Sequence, residues 1–259
     1  MKKVYSRPRY LKEKKFHYCP GCGHSIVHKL LMELVEELEI GDRTIGVAPA
    51  GCAVLAYDYM DVDMVEAAHG RGPAVATGIK RSLPEAVVFS YQGDGDLAAI
   101  GTAESIHAAS RGEKILIIFI NNGIYGMTGG QMAPTTIEGM KATTAPLGRS
   151  PEREGYHLDL TYLLSEIPGT VYAERVTVNS PKAIRRAKKA LEIALRCQLD
   201  NEPGLAIIEV LSMCPTNWKM NPLDACKWID EVMSKKFPLG VLCDRRKKIK
   251  KRAVAGNVD

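Results

Sequence analysis

The sequence predicts an α/β fold in which a mostly parallel β-sheet is flanked by helices on both faces. Short, largely continuous apolar runs alternate along the chain with segments of helical periodicity, and glycine-rich turns separate them. Strands that are apolar on both sides are typical of a parallel sheet covered on both faces. The 259 residues are enough for one large domain of this kind or two small ones.

Six apolar runs are predicted to be strands and three segments to be helices, of which the first precedes the first strand. The predicted strands are residues 44–48, 63–67, 86–91, 115–120, 170–176 and 205–211. The predicted helices are 26–38, 98–110 and 181–197. In the first helix, apolar residues such as Ile26, Leu30 and Leu34 recur at three- and four-residue spacing, and Gly41 ends the pattern. The least regular stretch is 126–168, and long irregular segments of compact domains are often functional.

The composition, 46% apolar and 25% charged residues, is that of an ordinary globular protein. Residues 245–252 carry seven positive charges, and without them the formal net charge of +5 becomes −2. We therefore predict one domain over residues 1–243 and a basic tail over 244–259 that is solvated. No aromatic residues interleave these charges, so we expect no nucleic-acid partner.

The chain shows no pattern of secretion or membrane insertion. The residues after the basic start form no apolar core of a signal peptide, and the longest strongly apolar run, 115–120, is too short to cross a bilayer. We expect a cytoplasmic protein without a membrane partner.

The most informative motif is Gly93-Asp94-Gly95-Asp96, which follows one predicted strand, while Asn121-Asn122 ends the next. One βαβ crossover places both at the same edge of a parallel sheet, where ligands bind. The Asp94 carboxylate, the Asn122 side-chain carbonyl and the Ile124 backbone carbonyl offer oxygen ligands suited to Mg²⁺. The two glycines let a diphosphate approach the backbone, and the following helix presents free N–H groups. A lone Gly-Asp-Gly would be a plain turn, but the pairing with Asn-Asn favours a magnesium–diphosphate site.

The seven cysteines predict a metal centre rather than disulfides, because their number is odd and the chain is expected to be cytosolic. Cys19 and Cys22, separated by Pro-Gly, have the spacing of paired metal ligands. Cys52 and Cys214 each follow a predicted strand, at the edge where Asp94 lies. We assign these four as a thiolate set. Zinc and a [4Fe–4S] cluster both accept four cysteines, so the spacing leaves the choice between them open.

These motifs resemble those of a known family. The Gly-Asp-Gly and Asn-Asn pair is similar to the thiamine-diphosphate (thiamine pyrophosphate) motif of transketolases, pyruvate decarboxylases and 2-oxoacid oxidoreductases. The segment 124–131, the Cys-Pro-Gly-Cys-Gly motif, the Gly-Cys at 51–52 and the Cys-Pro-Thr-Asn at 214–217 resemble the beta subunits of 2-oxoacid:ferredoxin oxidoreductases. The likeness covers residues 16–242 and is nearest to the 2-oxoisovalerate and 2-oxoglutarate types. It implies the diphosphate-domain fold of thiamine enzymes.

The resemblance also implies roles for individual residues. It makes Cys19, Cys22, Cys52 and Cys214 the ligands of an iron–sulfur cluster, and Asp94, Asn122 and the Ile124 carbonyl the ligands of Mg²⁺. The residues implied to contact the cofactor are Gly51, His69, Gly93, Asp94, Gly95, Asp96, Asn122, Ile124, Tyr125, Met127 and Thr128.

Two residues of the His-Gly-Arg loop are candidate catalytic residues. His69 would handle a proton or contact the cofactor, although it could instead be a structural histidine that orders the loop. Arg71 would pair with a substrate carboxylate, although a structural ion pair is an equal alternative.

The implied reaction is oxidative decarboxylation of a 2-oxoacid to an acyl-coenzyme A and CO₂, with electrons passing through the cluster to ferredoxin. The chain has no recognisable pyrimidine-binding half, so the resemblance implies a separate alpha subunit and, in many members, gamma and delta subunits. Two alternatives remain. One is a subunit of a non-oxidative thiamine enzyme with structural zinc, and the other is a non-catalytic iron–sulfur or zinc module.

Overall fold

The computed structural model describes residues 6–246, and their strands confirm a mostly parallel sheet. The strands are β1 (Thr44–Ala48), β2 (Asp63–Glu66), β3 (Val87–Gly93), β4 (Leu116–Asn121), β5 (Ile124–Tyr125), β6 (Gln131–Met132), β7 (Thr170–Thr177), β8 (Leu205–Leu211) and β9 (Gly240–Asp244). Seven of them form one sheet in the order β2-β1-β3-β4-β8-β7-β9. Only β9 pairs antiparallel within that sheet, along the edge of β7. Strands β5 and β6 form a separate hairpin.

Helices cover both faces of the sheet. They are α1 (His24–Glu37), α2 (Gly72–Ser82), α3 (Thr102–Arg111), α4 (Pro151–Glu154), α5 (Leu160–Glu166), α6 (Pro181–Leu199), α7 (Pro215–Trp218), α8 (Pro222–Trp228) and α9 (Ser234–Lys236). Strand β4 shows the two-sided packing most clearly. Leu116, Ile118 and Ile120 belong to the core under α1 and α6. The alternating Ile117 and Phe119 belong to the core under α2, α3 and α5. A strand buried on both faces must be apolar throughout, which is why its sequence was recognisable.

The six predicted strands are confirmed, with ends shifted by at most two residues, whereas β5, β6 and β9 were not predicted. Strand β9 lies at the sheet edge and is only partly buried, so its sequence lacks a continuous apolar run. Asp244, predicted to begin the tail, is the last residue of β9, and Arg245 N–H donates to Val171 O at 2.8 Å. Residues 247–259 of the predicted tail lie outside the described residues. In residues 6–246 we find no helix of the length and apolarity needed to cross a membrane.

The helix predicted at 98–110 begins earlier and in a different form. A π-helical turn covers Gly95–Ile100 and leads through Gly101 into α3. A single π-helical turn at the start of a helix often accompanies a functional site. Here it widens the backbone directly after Asp94.

The irregular stretch 126–168 is organised around one buried cation. The Arg149 guanidinium is 7% exposed, and its donors reach only backbone carbonyls. They include Thr136 O at 2.7 Å, Pro134 O at 2.8 Å and Gly155 O at 2.8 Å. A buried carbonyl without a hydrogen-bond donor is costly. The Arg149 side chain supplies donors to the buried carbonyls of a loop that has little secondary structure.

Candidate active site

One cavity lies at the carboxyl ends of β1, β3 and β4, and all eleven residues predicted to contact the cofactor line it. The residues predicted from the sequence and found in this lining are Gly51, His69, Gly93, Asp94, Gly95, Asp96, Asn122, Ile124, Tyr125, Met127 and Thr128. They come from four separated segments of the chain. The parallel topology therefore brings residues that are far apart in the sequence together in one cavity.

Asp94 is the buried carboxylate of the cavity, 2% exposed. Its Oδ2 accepts the N–H of Asn122 at 3.1 Å, and its Oδ1 accepts the N–H of Gly123 at 3.3 Å and the hydroxyl of Thr135. Burial raises the pKa of Asp94 from an ordinary 3.8 to about 7, although these three donors act in the opposite direction. Burial makes ionisation of Asp94 unfavourable, and a cation bound beside it would stabilise the ionised carboxylate.

The Asn122 side chain provides a test of whether the residues present fit a metal ion. One terminal atom of its carboxamide lies 2.9 Å from Ile124 O and 3.0 Å from Asp94 Oδ2. If that atom is nitrogen, it donates to both oxygens. If it is oxygen, three oxygens crowd together and need a cation between them. Neighbouring ligands of an octahedral Mg²⁺ are about 3.0 Å apart, since the metal–oxygen distance is about 2.1 Å. The donor set therefore fits Mg²⁺.

Glycines leave the floor of the cavity open. A side chain at Gly93 would meet no atom within 4 Å, and the same holds for Gly51, whose φ of +110° few other residues adopt. At Gly95 a Cβ would lie 3.0 Å from the ring of Tyr125 and 3.7 Å from His69 Nε2. The open backbone beside Asp94 fits the close approach of a phosphate group.

Asp96 orients His69. The Nδ1 of His69 lies 2.5 Å from Asp96 Oδ1, which also accepts the N–H of Gly70 at 2.7 Å. Gln92 donates to Asp96 Oδ2 at 2.6 Å. Because both oxygens already accept hydrogen bonds from groups that can only donate, Nδ1 of His69 carries the hydrogen and Nε2 is left as the acceptor. The ring of His69 is 43% exposed, so that acceptor can meet a ligand.

Arg71 is placed apart from these groups. It is not among the residues that line the cavity, its side chain is half exposed, and its guanidinium pairs with Glu104 of α3. Its proposed contact with a substrate carboxylate stays a prediction.

The four predicted cysteine ligands lie near one another. Burial raises the pKa of Cys22 to about 12 and that of Cys52 to about 11, and it also raises the pKa of Cys214. The pKa of each of these three thiols is also raised by ionisation of other thiols in the set, among them the exposed Cys19. Within residues 6–246, no three His, Cys, Asp or Glu side chains are close enough to hold a single metal ion.

The other three cysteines lie elsewhere. The charged groups around Cys197 and Cys243 are arginines and carboxylates near β9 and the end of α6, and Cys226 on α8 faces Asp230. None of these charged neighbours belongs to the four-cysteine set.

The cysteine set touches residues 122–128, which carry predicted metal ligands and cofactor contacts and are called the cofactor loop below. A Cβ added to Gly126 would lie 3.1 Å from Cys52 Sγ and 3.7 Å from the amide nitrogen of Asn122. Trp218 Nε1 donates to Asn122 O at 3.0 Å, and Asn217 Nδ2 donates to Gly126 O at 2.8 Å. The short helix α7, which follows Cys214, therefore holds the loop that carries the predicted metal ligands.

A buried network supports the same loop from inside the sheet. Glu209 of β8 accepts Arg175 Nε at 2.6 Å and Asn121 Nδ2 at 2.7 Å. The Oδ1 of Asn121 in turn accepts the N–H of Gly123 at 3.1 Å. Glu209 and Arg175 are each 1% exposed. The Glu209 carboxylate thus holds the Asn121 side chain, and that side chain holds the turn between Asn121 and Ile124.

Sequence reasoning missed several residues of the site. Asn217 and Trp218 lie three and four residues after Cys214, so their position near a predicted ligand was an available signal. His24 lines the cavity from α1 and shares a hydrogen bond of 2.9 Å with Tyr91. Its place directly after Cys-Pro-Gly-Cys-Gly was a similar signal. Thr135 lies 41 residues from Asp94 in an irregular loop, and no local pattern points to it.

Comparisons with known proteins show which family the chain is similar to. Residues 49–210 match the family described as thiamine pyrophosphate enzyme, C-terminal TPP binding domain. The ketoisovalerate oxidoreductase subunit VorA of Methanothermobacter thermautotrophicus is 51% identical over 229 residues, which are 88% of this chain and 48% of that protein. This chain thus spans about half the length of that relative. The 2-oxoglutarate synthase subunit KorB of Methanocaldococcus jannaschii is 38% identical over 220 residues, which cover 83% of this chain and 77% of that protein.

A solved structure is similar as well. The 2-oxoglutarate:ferredoxin oxidoreductase from Magnetococcus marinus, solved with 2-oxoglutarate, coenzyme A and succinyl-CoA bound, superposes with a TM-score of 0.73 at 27% identity. The match covers 89% of this chain and 75% of that one.

Proposed function

This chain belongs to the thiamine-diphosphate-binding beta subunits of the 2-oxoacid:ferredoxin oxidoreductase family, and we propose that it holds thiamine diphosphate, Mg²⁺ and a [4Fe–4S] cluster in such an enzyme. The reaction is oxidative decarboxylation of a 2-oxoacid to an acyl-coenzyme A and CO₂, with ferredoxin as electron acceptor. The observation that carries the proposal is that one terminal atom of the Asn122 carboxamide lies 2.9 Å from Ile124 O and 3.0 Å from Asp94 Oδ2, in a cavity lined by all the predicted cofactor contacts.

When bound, thiamine diphosphate supplies the electron sink for decarboxylation, and the cluster accepts the electrons one at a time. Asp94, Asn122 and the Ile124 carbonyl would hold Mg²⁺ between protein and diphosphate. The open glycine backbone at Gly93 and the π-helical turn after it would contact the phosphates.

His69 has one free acceptor in this arrangement. Since Asp96 fixes its Nδ1–H, His69 can take or return a proton at Nε2, on the side of the cavity near Gly95. Asp96 itself has no oxygen without a protein partner, so we assign it the orientation of His69 rather than a contact with the cofactor.

Cys19, Cys22, Cys52 and Cys214 would hold the cluster. Ionisation of one of these thiols raises the pKa of others in the set, and Cys52 Sγ lies against Gly126 of the cofactor loop. This proximity supports electron transfer between the two sites without an intervening domain.

We propose a branched-chain 2-oxoacid as the substrate class. The ketoisovalerate relatives are 50–51% identical to this chain, whereas the 2-oxoglutarate synthase subunits are 33–38% identical. Ala50, Ala53 and Ile100 give the cavity an apolar wall, and no lysine or arginine is among its lining residues. Among the described residues that line the cavity, none is a cation that could pair with a second substrate carboxylate. An alpha subunit would close the cavity and supply the pyrimidine-binding half.

The test is co-purification with the native partner under anaerobic conditions, followed by a panel of 2-oxoacids with coenzyme A and a viologen acceptor. We expect a brown protein with four iron atoms per chain and the fastest turnover with branched substrates. A colourless, zinc-loaded protein that still binds thiamine diphosphate would contradict the oxidative reaction. A preference for 2-oxoglutarate would contradict the substrate class alone.

The matched variants are Asp94→Ala and Asp58→Ala. Loss of the Asp94 carboxylate should abolish Mg²⁺-dependent binding of thiamine diphosphate in calorimetry while the iron content stays that of the unmodified chain. Asp58 pairs with Lys14 at the surface, and its loss should change neither quantity. Cofactor binding by Asp94→Ala at unmodified affinity would refute the assignment of the metal site.

A further inference from the structure

Asn217 joins the cysteine set with the cofactor loop through a single nitrogen atom. Its Nδ2 lies 2.8 Å from Gly126 O and 3.5 Å from Cys214 Sγ. A primary amide has two hydrogens, so this side chain can serve both acceptors at once.

Packing holds the Asn217 side chain in this place. Gly130, at the turn of the β5–β6 hairpin, has a φ of +81°, and a Cβ there would lie 3.3 Å from Asn217 Cβ. A Cβ at Gly126 would lie 3.7 Å from Asn217 Nδ2 and 3.1 Å from Cys52 Sγ. The hairpin thus packs directly on Asn217, and a shift of the cofactor loop would move the hydrogen bond to Gly126.

We propose that Asn217 is a positioning residue that couples occupancy of the thiamine diphosphate site to the reduction potential of the cluster. The inference rests on the proposed function, because it needs Cys214 as a cluster ligand and the 122–128 loop as a cofactor contact. An N–H donor to a ligating sulfur stabilises the more negative, reduced cluster and so raises its potential. A bound cofactor that holds Gly126 in place would also hold the side-chain N–H of Asn217 close to Cys214 Sγ.

Coupling of this kind is reciprocal. If cofactor binding changes the potential, reduction of the cluster must change cofactor affinity by the equivalent factor. The consequence for the enzyme is that the cluster accepts electrons most readily when the cofactor is in place.

Trp218 offers a comparison on the same short helix. Its Nε1 donates to Asn122 O at 3.0 Å, and its ring packs on Trp228 with 4.6 Å between centroids. Trp218 therefore holds the cofactor loop, but no hydrogen bond joins its side chain to Cys214 in the described part of the chain. Thr216, exposed on the same helix, makes no side-chain hydrogen bond there.

The experiment compares the unmodified complex with complexes carrying Asn217→Ala, Asn217→Asp, Trp218→Phe or Thr216→Ala. Iron content is measured first. The cluster potential is then titrated by electron paramagnetic resonance with and without thiamine diphosphate and Mg²⁺, and cofactor affinity is measured by calorimetry. All samples contain the partner subunit.

We expect Asn217→Ala to lower the potential, to weaken cofactor binding about 10-fold, and to remove the response of the potential to cofactor. Asn217→Asp keeps the size of the side chain but removes its N–H donors, so it should also lower the potential of the cluster. This variant still tests the proposal if Asn217→Ala loses its cluster. Trp218→Phe should weaken cofactor binding and leave the potential of the cofactor-free complex unchanged. Thr216→Ala should alter neither.

The coupling is refuted if an Asn217 variant that retains its iron has the unmodified potential and the unmodified response to cofactor. Loss of iron from both Asn217 variants would also refute it, since the residue would then be needed for the cluster to bind at all. If the unmodified complex contains no reducible cluster or binds no thiamine diphosphate, it is the proposed function that fails.

Discussion

Replacement of Asp94 by asparagine should make the metal-free protein more stable at alkaline pH while it destroys cofactor binding. Asp94 is buried, and its pKa is raised by that burial to about 7. A carboxyl whose pKa is higher in the folded than in the unfolded chain favours folding when it is protonated. Its contribution is therefore largest below pH 3.8 and is lost as the pH rises to about 7.

The size of the effect follows from the shift. Each pKa unit corresponds to about 1.36 kcal/mol, so full ionisation of Asp94 lowers the free energy of unfolding by about 4 kcal/mol. Of this loss, about 2.5 kcal/mol occurs between pH 5 and pH 8. Asparagine avoids the charge, but its NH₂ group faces the N–H of Asn122 or Gly123, at a cost of about 1–3 kcal/mol. The variant should thus be about 1–3 kcal/mol more stable than the unmodified chain at pH 8, and the two should be nearly equal at pH 5.

Thermal unfolding in chelator at a series of pH values measures this difference. About 2–4 °C of melting temperature corresponds to each kcal/mol in a chain of this size, so the gap between the two proteins should widen by about 5–10 °C from pH 5 to pH 8. Mg²⁺ with thiamine diphosphate, in the presence of the partner, should raise the melting temperature of the unmodified chain only. Parallel melting curves across this pH range, or a less stable variant at pH 8, would refute the reasoning.

Three further predictions concern the cysteines, the buried network and the partner. Cys214→Ser should deplete iron and abolish ferredoxin reduction, whereas Cys197→Ser should leave the iron content unchanged; four iron atoms retained in Cys214→Ser would exclude the ligand set. Glu209→Ala leaves Arg175 with Asp159 as its one carboxylate partner among the described residues, so the free energy of unfolding should fall by about 3–5 kcal/mol. Mg²⁺ should also bind more weakly, because Asn121 loses its acceptor, and unchanged stability in urea would contradict this reasoning. The chain alone should form no acyl-coenzyme A until the alpha subunit is added, and turnover without it would exclude a two-subunit site.

The sequence alone determined the sheet and the motifs that lie at its edge. Strands such as β4 are buried on both faces, so they must be apolar along their whole length, and this pattern is visible without a structure. The same topology places the ends of successive parallel strands at one edge. Asp94 and Asn122 could therefore be paired from their positions after two strands joined by one crossover.

Only the tertiary structure decided which polar groups hold these motifs in place. Glu209 and Asn121 are 88 residues apart, and Asn217 and Gly126 are 91 apart. Strand β9 joins the sheet antiparallel at a partly exposed edge, and the π-helical turn after Asp94 replaces a predicted regular helix. Hydrophobic periodicity is a local property that reports which face of an element is buried. A polar side chain finds its partner only after distant segments have packed, so no pattern along the chain records that choice.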